Sequence, residues 1–261
     1  MIKKVIDRVS YEATKLRYSQ EAKEVKQLMT QTDTPVYYIH VRKTAGTTVN
    51  YAFLRSSQEH DLDTFFETLA QKPNHRLIRN NKVFVGWNVR LINEGNYSYG
   101  FSHAPCHRLK LPPHVFTFTC LRDPVKRVIS HYNYLRNFQV NNIDHPCLER
   151  EGGWPGNSLA NFIVNTPRQY LMNQLYMFSD SYDVSEAFDR VMQCNYFFFT
   201  HEMDEGMKAL EEHLGWELPV SRQNPSSYKE DLDESHVAQL RDLLRDEYEL
   251  IHRLQQERKR L

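Results

Sequence analysis

The residues best suited to chemistry in this chain form a polar turn that reads Arg42-Lys43-Thr44-Ala45-Gly46-Thr47-Thr48. The run before the turn, residues 36–41, is mostly β-branched and aromatic, and the residues after it can form a helix. Such a turn offers an anion the backbone amides of a helix N-terminus, three threonine hydroxyls and the positive charge of a lysine. The sequence therefore predicts a strand, a loop that binds phosphate or sulfate, and a helix.

This turn differs from the phosphate-binding loop of nucleoside-triphosphate enzymes. Val41 stands where that loop has a glycine, five residues before Gly46, and Lys43 precedes the glycine instead of following it. Enzymes of that class also use Mg²⁺ held by an acidic residue at a strand end, and no predicted strand here ends in an isolated Asp or Glu. A small-molecule kinase is therefore only an alternative, and the turn taken alone could equally be an ordinary helix start.

A second strand-to-helix turn carries a second set of basic residues. Residues 114–121 are the strongest strand signal in the chain, and Arg122 follows them directly. On the helix that comes next, Lys126, Arg127 and Ser130 lie off the apolar stripe. An arginine can bind phosphate through two hydrogen bonds, and a serine can hold a further oxygen. Two anion sites at neighbouring strand ends predict a ligand with two separated anionic groups, although this set alone would also fit a solvated helix face.

Both turns resemble motifs of the sulfotransferases that use 3′-phosphoadenosine 5′-phosphosulfate (PAPS). Residues 39–48 are similar to the family's 5′-phosphosulfate loop, and residues 120–130 are similar to its 3′-phosphate motif. The motifs occur in the family's order. The nearest resemblance is to the carbohydrate branch, which includes the heparan sulfate 2-O- and 6-O-sulfotransferases, and it continues over residues 199–216 and 246–250.

The resemblance implies a role for each residue of the two motifs. Lys43 would neutralise the leaving 5′-phosphate, and His103 at the tip of a predicted strand would be the base, because an imidazole is suited to accept a proton near neutral pH. His107 is the alternative base. The product would be 3′,5′-adenosine bisphosphate, and no metal is expected to take part. The residues expected to bind PAPS are Arg42, Lys43, Thr44, Ala45, Gly46, Thr47, Thr48, Arg122 and Ser130.

Other residues are expected to border the acceptor, which in the resembled branch is a saccharide hydroxyl. The helix that carries Asn173 and Gln174 lies beside the acceptor in relatives. Trp154 belongs to a Gly- and Pro-rich loop predicted over residues 137–157 and could stack on a sugar ring. Asn224 belongs to a loop that closes over the nucleotide in relatives. Each of these residues also has an ordinary structural interpretation.

The order of the predicted elements favours one α/β domain. A chain of 261 residues can bury a full core in a single domain. An amphipathic helix is predicted over residues 2–30 at the N-terminus, and strands then alternate with helices, as in a P-loop-like domain with a central, mainly parallel sheet. The predicted strands cover residues 36–41, 83–87, 99–103, 114–121 and 196–200.

Composition disfavours several classes of partner. With 33 basic and 33 acidic residues the formal net charge is zero, which argues against nucleic acid and weakens the case for a long glycosaminoglycan acceptor. The four cysteines lack the paired spacing of a zinc site, and no stretch approaches the roughly 18 apolar residues of a membrane span. We expect a cytoplasmic protein, although a Golgi-lumen catalytic domain separated from its anchor would look the same. A nucleotide-binding module without activity is a further alternative, and the sequence predicts no oligomeric state.

Overall fold

Val36–Ile39, the apolar residues before the first turn, form one of the two central strands of a six-stranded sheet in the computed structural model. The structure describes residues 20–29, 34–58, 61–220 and 234–259. The strands are β1 (Val36–Ile39), β2 (Arg76–Arg79), β3 (Lys82–Gly86), β4 (Tyr99–Ser102), β5 (Phe116–Leu121) and β6 (Tyr196–Phe199). They lie in the order β2-β3-β4-β1-β5-β6. Because β1 is parallel to β4 on one side and to β5 on the other, the carboxyl ends of these three strands meet at one edge.

Helices cover both faces of this sheet. The first helical segment of the described chain, α1, covers residues 20–29. Short 3-10 turns lie at Cys106–Arg108 and Thr200–Glu202. The other helices are α2 (Gly46–Arg55), α3 (Leu62–Gln71), α4 (Val89–Glu94), α5 (Pro124–Val140), α6 (Leu148–Glu151), α7 (Leu159–Asn165), α8 (Arg168–Leu171), α9 (Asn173–Phe178), α10 (Val184–Met192), α11 (Met203–Leu214), α12 (Glu234–Leu243) and α13 (Arg245–Arg258).

The side chains of β1 alternate between two apolar cores. Val36 and Tyr38 pack in a cluster with residues of α2, α3 and α11. Tyr37 and Ile39 pack on the other face, in a cluster with residues of α5, α9 and α13. A strand buried on both faces is typical of parallel sheets covered by helices. The predicted α/β fold with a mainly parallel sheet is confirmed.

Strand β2, which runs antiparallel to β3, has no counterpart among the predicted strands. The two strands are joined by Asn80 and Asn81, whose φ angles are 46° and 61°. Two successive residues with positive φ fit the tight turns that join hairpin strands, and asparagine tolerates this conformation better than most residues. The Asn-Asn pair was therefore the signal for the hairpin.

The loop predicted over residues 137–157 is partly helical, so its predicted boundaries are wrong. Helix α5 continues to Val140 because its buried stripe extends to Phe138. Helix α6 then forms a single turn that ends at Glu151. The side chain of Glu151, at the end of this turn, is buried.

Two predictions, the N-terminal helix and the role of Asn224, concern residues that lie largely or wholly outside the described ranges. Of the helix predicted over residues 2–30, the described part is helical over residues 20–29, and Asn224 is not described. Within the described ranges, no helix combines the length and the apolar character needed to cross a membrane.

Candidate active site

The first turn joins β1 to α2 through two residues with left-handed backbone conformation. Lys43 has a φ of 66° and Ala45 a φ of 61°. Ala45 is the N-cap of α2 and makes no side-chain hydrogen bond to the helix, so the cap leaves the first amides of α2 without a side-chain acceptor. Left-handed residues in a turn are typical of the backbone concavities that bind anions. The predicted anion loop therefore has a suitable backbone.

Gly46 is a glycine because an imidazole fills the space beside it. A Cβ built on Gly46 would lie 1.6 Å from Nε2 of His40. The His40 ring is held between two other rings, with centroid distances of 4.9 Å to Tyr38 and 4.3 Å to His103. The ring therefore has little freedom to move aside for a larger residue. His40 was not singled out from the sequence, where it appears as the polar end of a strand.

Only part of the predicted set of threonine hydroxyls faces the turn. Thr44 is fully buried, and its hydroxyl donates to the carbonyl oxygen of Val41 over 2.9 Å. Its hydroxyl stabilises the turn from inside, so the prediction that it is offered to a ligand is wrong. Thr47 is exposed and Thr48 is partly exposed.

The second turn follows β5 and is bonded directly to the first. The guanidinium of Arg122 donates from Nη1 to the carbonyl oxygen of Lys43 over 3.1 Å. Asp123 accepts from the amide of Lys126 at 2.8 Å and so caps α5, which begins with Pro124 as predicted. The two turns therefore form one continuous surface at the carboxyl edge of the sheet.

Arg127 does not join this surface, and its predicted place on an exposed basic face is wrong. It is fully buried on α5 and donates to the carbonyl oxygens of Tyr170 and Leu171. Its Nε lies 4.0 Å from the carboxylate of Glu247. A buried guanidinium needs such partners. Ser130, also on α5, remains partly exposed.

Asn173 and Gln174, at the start of α9, hold both turns in place. Oδ1 of Asn173 accepts from the amide of Arg42 at 3.0 Å. Gln174 bonds twice to the peptide groups of Arg122, accepting from its amide at 2.7 Å and donating to its carbonyl at 2.9 Å. Both side chains are buried. Because these side chains bond to the backbone of the two turns and position it, the prediction that they contact the acceptor is corrected.

Glu247 of α13 anchors the start of α9 in turn. Its carboxylate accepts from the amides of Gln174 and Leu175, at 2.7 Å and 3.1 Å. Burial raises the pKa of Glu247, while Arg127 and these hydrogen bonds oppose the shift. The carboxylate thus links α13, α9 and α5 behind the second turn.

A cavity of about 210 Å³ opens on the first turn, and we call it the inner cavity. Nζ of Lys43 lies 3.7 Å from the centroid of the Tyr134 ring, a cation–π contact. Burial, with the nearby charge of Arg122, lowers the pKa of Lys43 to about 8. The residues that line the inner cavity are His40, Arg42, Lys43, Ala45, Gly46, Thr47, His103, His131 and Tyr134.

His103 follows β4 and lines both the inner cavity and a second cavity of about 630 Å³, the outer cavity. Its Nδ1 lies 2.8 Å from the carbonyl oxygen of His40. Because a carbonyl can only accept, Nδ1 carries the proton and Nε2 is the basic nitrogen. Burial, with repulsion from Arg42, lowers the pKa of His103 to about 4. The ring is therefore neutral at pH 7 and can accept a proton.

His107 and Trp154 lie outside the linings of these two cavities. His107 belongs to a 3-10 turn, and its ring contacts that of Tyr176 at 5.4 Å between centroids. Trp154 is half-buried against the rings of Tyr170, at 4.7 Å, and His131, at 6.0 Å. Of the two histidines considered as the base, His103 therefore lines both cavities and His107 lines neither.

Glu151 is the main site residue that was not predicted from the sequence. Its buried carboxylate accepts from His131 Nε2 at 3.0 Å, from Arg42 Nη1 at 3.0 Å and from Arg150 Nη2 at 2.6 Å. Burial disfavours its charge, but the hydrogen bond from His131 and the charge of Arg42 outweigh burial and lower the pKa of Glu151 to about 2. Glu151 therefore stays ionised and holds Arg42 at the turn.

His131 connects this carboxylate to the inner cavity. Burial lowers the pKa of His131 to about 4, although Glu151 opposes the shift. Since Nε2 faces the carboxylate, Nε2 carries the proton. Nδ1 is buried and has no hydrogen-bond partner within the described residues. A buried acceptor of this kind beside a cavity is typical of a site that completes its bonding with a ligand.

Comparison with known protein families decides which class of protein has this geometry. Residues 26–256 match the model of the Sulfotransferase family, so the match includes both turns, His103 and Glu151. The chain belongs to the sulfotransferase family. This sulfotransferase is therefore an enzyme that transfers a sulfuryl group to an acceptor, which replaces the kinase and the inactive module considered from the sequence. No curated protein is significantly similar to it in sequence.

Proposed function

We propose that this sulfotransferase transfers the sulfuryl group of PAPS to a hydroxyl of a saccharide, with His103 as the base. The observation that carries the proposal is the position of His103 where the two cavities meet. The inner cavity contains the anion turn, and the outer cavity is large enough for a sugar ring. A proton acceptor between a donor site and an acceptor site is what group transfer to a hydroxyl requires.

The residues of the two turns fit a donor with two separated anionic groups. The uncapped start of α2, the absence of a side chain at Gly46 and the charge of Lys43 suit the 5′-phosphosulfate. Arg122 and Ser130 stand on the second turn and its helix, where they would hold the 3′-phosphate. The hydrogen bond from Arg122 to the Lys43 carbonyl fixes the positions of the two turns relative to each other.

In the proposed reaction, the acceptor oxygen attacks sulfur while Nε2 of His103 takes the hydroxyl proton. The bond between sulfur and the 5′-phosphate oxygen breaks, and its electron pair stays on that oxygen. Lys43 and the first amides of α2 stabilise the resulting negative charge. Metal-free transfer is part of the proposal, because a sulfuryl group carries less negative charge than a phosphoryl group.

The proposal is tested by separating nucleotide binding from turnover. Binding of 3′,5′-adenosine bisphosphate is measured by calorimetry, and turnover with labelled PAPS and a panel of saccharides. We expect His103→Ala to keep its affinity for the bisphosphate and to lose about 10²- to 10⁴-fold in kcat. Lys43→Ala should lose both affinity and turnover. His252→Ala, at an exposed position of α13, is the control.

Two results would contradict the proposal. If the purified protein bound neither PAPS nor the bisphosphate, the donor would be misassigned. If His103→Ala lost binding and turnover to the same degree, the histidine would be part of the donor site and not the base.

A further inference from the structure

The outer cavity, which His103 also lines, has one aromatic wall. The rings of Tyr51, Phe66, Phe101 and Trp87 follow one another, with centroid distances of 5.4 Å, 5.8 Å and 5.1 Å. Three of these rings are at least partly exposed, and the buried ring of Phe101 packs against those of Phe66 and Trp87. A row of rings beside a reaction centre is typical of a site that binds a ligand with an extended apolar face.

Trp87 is held toward solvent by its backbone. It follows β3 with a φ of 56°, and its amide donates to the carbonyl oxygen of Phe101 at 3.0 Å. A bulky residue rarely has a positive φ, and such conformations cluster at ligand sites. The indole remains 37% exposed. The aromatic wall therefore has a large ring available for stacking.

Besides its aromatic wall, the outer cavity has acidic residues in its lining. Asp63 and Glu67 are exposed on α3, and neither forms an ion pair with another residue of the described ranges. Asp63 accepts a hydrogen bond from the hydroxyl of Tyr51. Among the described residues of this lining, the one guanidinium belongs to Arg42, which contacts Glu151 at 3.0 Å and shares that carboxylate with Arg150, so the lining itself carries two carboxylates against one guanidinium. The cavity therefore presents net negative charge.

The histidines of the lining do not reverse this charge at neutral pH. Burial lowers the pKa of His40, His103 and His145 alike. All three rings are therefore neutral at pH 7. In this lining, a sulfated or carboxylated acceptor would meet two carboxylates and a single guanidinium.

We infer that the outer cavity takes a saccharide that is uncharged or carries an amine, and that it disfavours polyanionic saccharides. The inference rests on the proposed function and specifies its acceptor class. The apolar face of the sugar ring packs on Trp87, and a ring hydroxyl reaches Nε2 of His103. Asp63 and Glu67 attract an ammonium group and repel sulfate or carboxylate groups.

The test compares three saccharides of one ring type that differ in charge: oligomers of glucosamine, of N-acetylglucosamine and of N-sulfoglucosamine. With labelled PAPS, we expect kcat/KM to be highest for the amine and lowest for the sulfated oligomer. Each exposed carboxylate contributes on the order of fivefold or less to this ratio. The ratio should shrink between about 0.05 and 0.5 M salt, because exposed charges are screened.

A pair of substitutions that removes both carboxylate charges gives the second readout. Asp63→Asn with Glu67→Gln should lower the ratio of amine to sulfated acceptor by about tenfold, since the amides keep the shape and remove the charge. Glu205→Gln with Glu212→Gln changes net charge equally on the exposed face of α11 and should leave the ratio unchanged. Trp87→Ala should raise KM for all three oligomers without changing the ratio.

The same preparations distinguish this inference from the function on which it rests. A protein that binds the bisphosphate but prefers the sulfated oligomer would overturn the inference alone. An unchanged ratio in the double amide variant would also overturn it. A protein without affinity for the bisphosphate would overturn the proposed function as well.

Discussion

Replacing Glu151 with Gln should destabilise the sulfotransferase by about 3 kcal/mol at neutral pH. The pKa of Glu151 is lowered from 4.5 to about 2, because its partners outweigh its burial. Because a shift of one pKa unit corresponds to about 1.4 kcal/mol, a shift from 4.5 to about 2 corresponds to a loss of about 3 kcal/mol in the free energy of unfolding. Removing this carboxylate also leaves Arg42 and Arg150 without their counter-charge, and the Nε2 proton of neutral His131 without its charged acceptor.

The pH dependence of stability tests the same carboxylate. Because the pKa of Glu151 is lower in the folded state, its contribution is complete above about pH 4.5 and is lost as the pH falls through about 2. The free energies of unfolding of the wild type and of Glu151→Gln should therefore converge in this acidic window. They should differ by a constant amount at higher pH.

The measurement is urea and thermal unfolding of the wild type, Glu151→Gln and Glu149→Gln. Glu149 is an exposed neighbour on the same short helix and is the matched control. For a chain of this size, we expect the melting temperature of Glu151→Gln to fall by roughly 6–12 °C. A loss of less than about 0.5 kcal/mol relative to the control would refute the electrostatic role of Glu151.

Two further predictions concern the turn and the base. Gly46→Ala should weaken binding of 3′,5′-adenosine bisphosphate by at least about tenfold, because the added Cβ would meet the His40 ring, whereas Gly153→Ala, whose Cβ meets nothing within 4 Å, should bind normally. Equal affinity of the two variants in calorimetry would contradict this. The pH profile of kcat/KM should fall below about pH 4 as His103 is protonated and above about pH 8 as Lys43 loses its proton. An acidic limb near the ordinary histidine pKa of about 6.5 would argue against a buried His103 as the base.

Much of the fold and part of the site were predictable because their signals are local. The apolar run before Lys43 and the cap residue Asp123 specify strands and helix starts through neighbouring residues alone. His103 was placed at a strand tip by the same kind of pattern. Resemblance to the family then supplied the expected roles of the two turns, and the family was confirmed.

The remaining site residues depend on contacts between distant parts of the chain. Glu151 meets Arg42 across 109 positions, and Gln174 meets Arg122 across 52. In the sequence, a glutamate beside a glycine and a glutamine on a short helix look like ordinary surface residues. Only the packing of α6 and α9 against the sheet edge buries them, and burial is what obliges each polar group to find a specific partner.

The sequence by itself thus determined the α/β order, the two strand-to-helix turns and the family. Tertiary structure decided which polar residues serve them, moving Arg127 into the core and Asn173 behind the first turn. It also gave the outer cavity its aromatic and acidic walls, which come from helices and strands separated in the chain. The physical reason is that local backbone preference is set by adjacent residues, whereas burial and charge pairing are set by whatever the folded chain brings into contact.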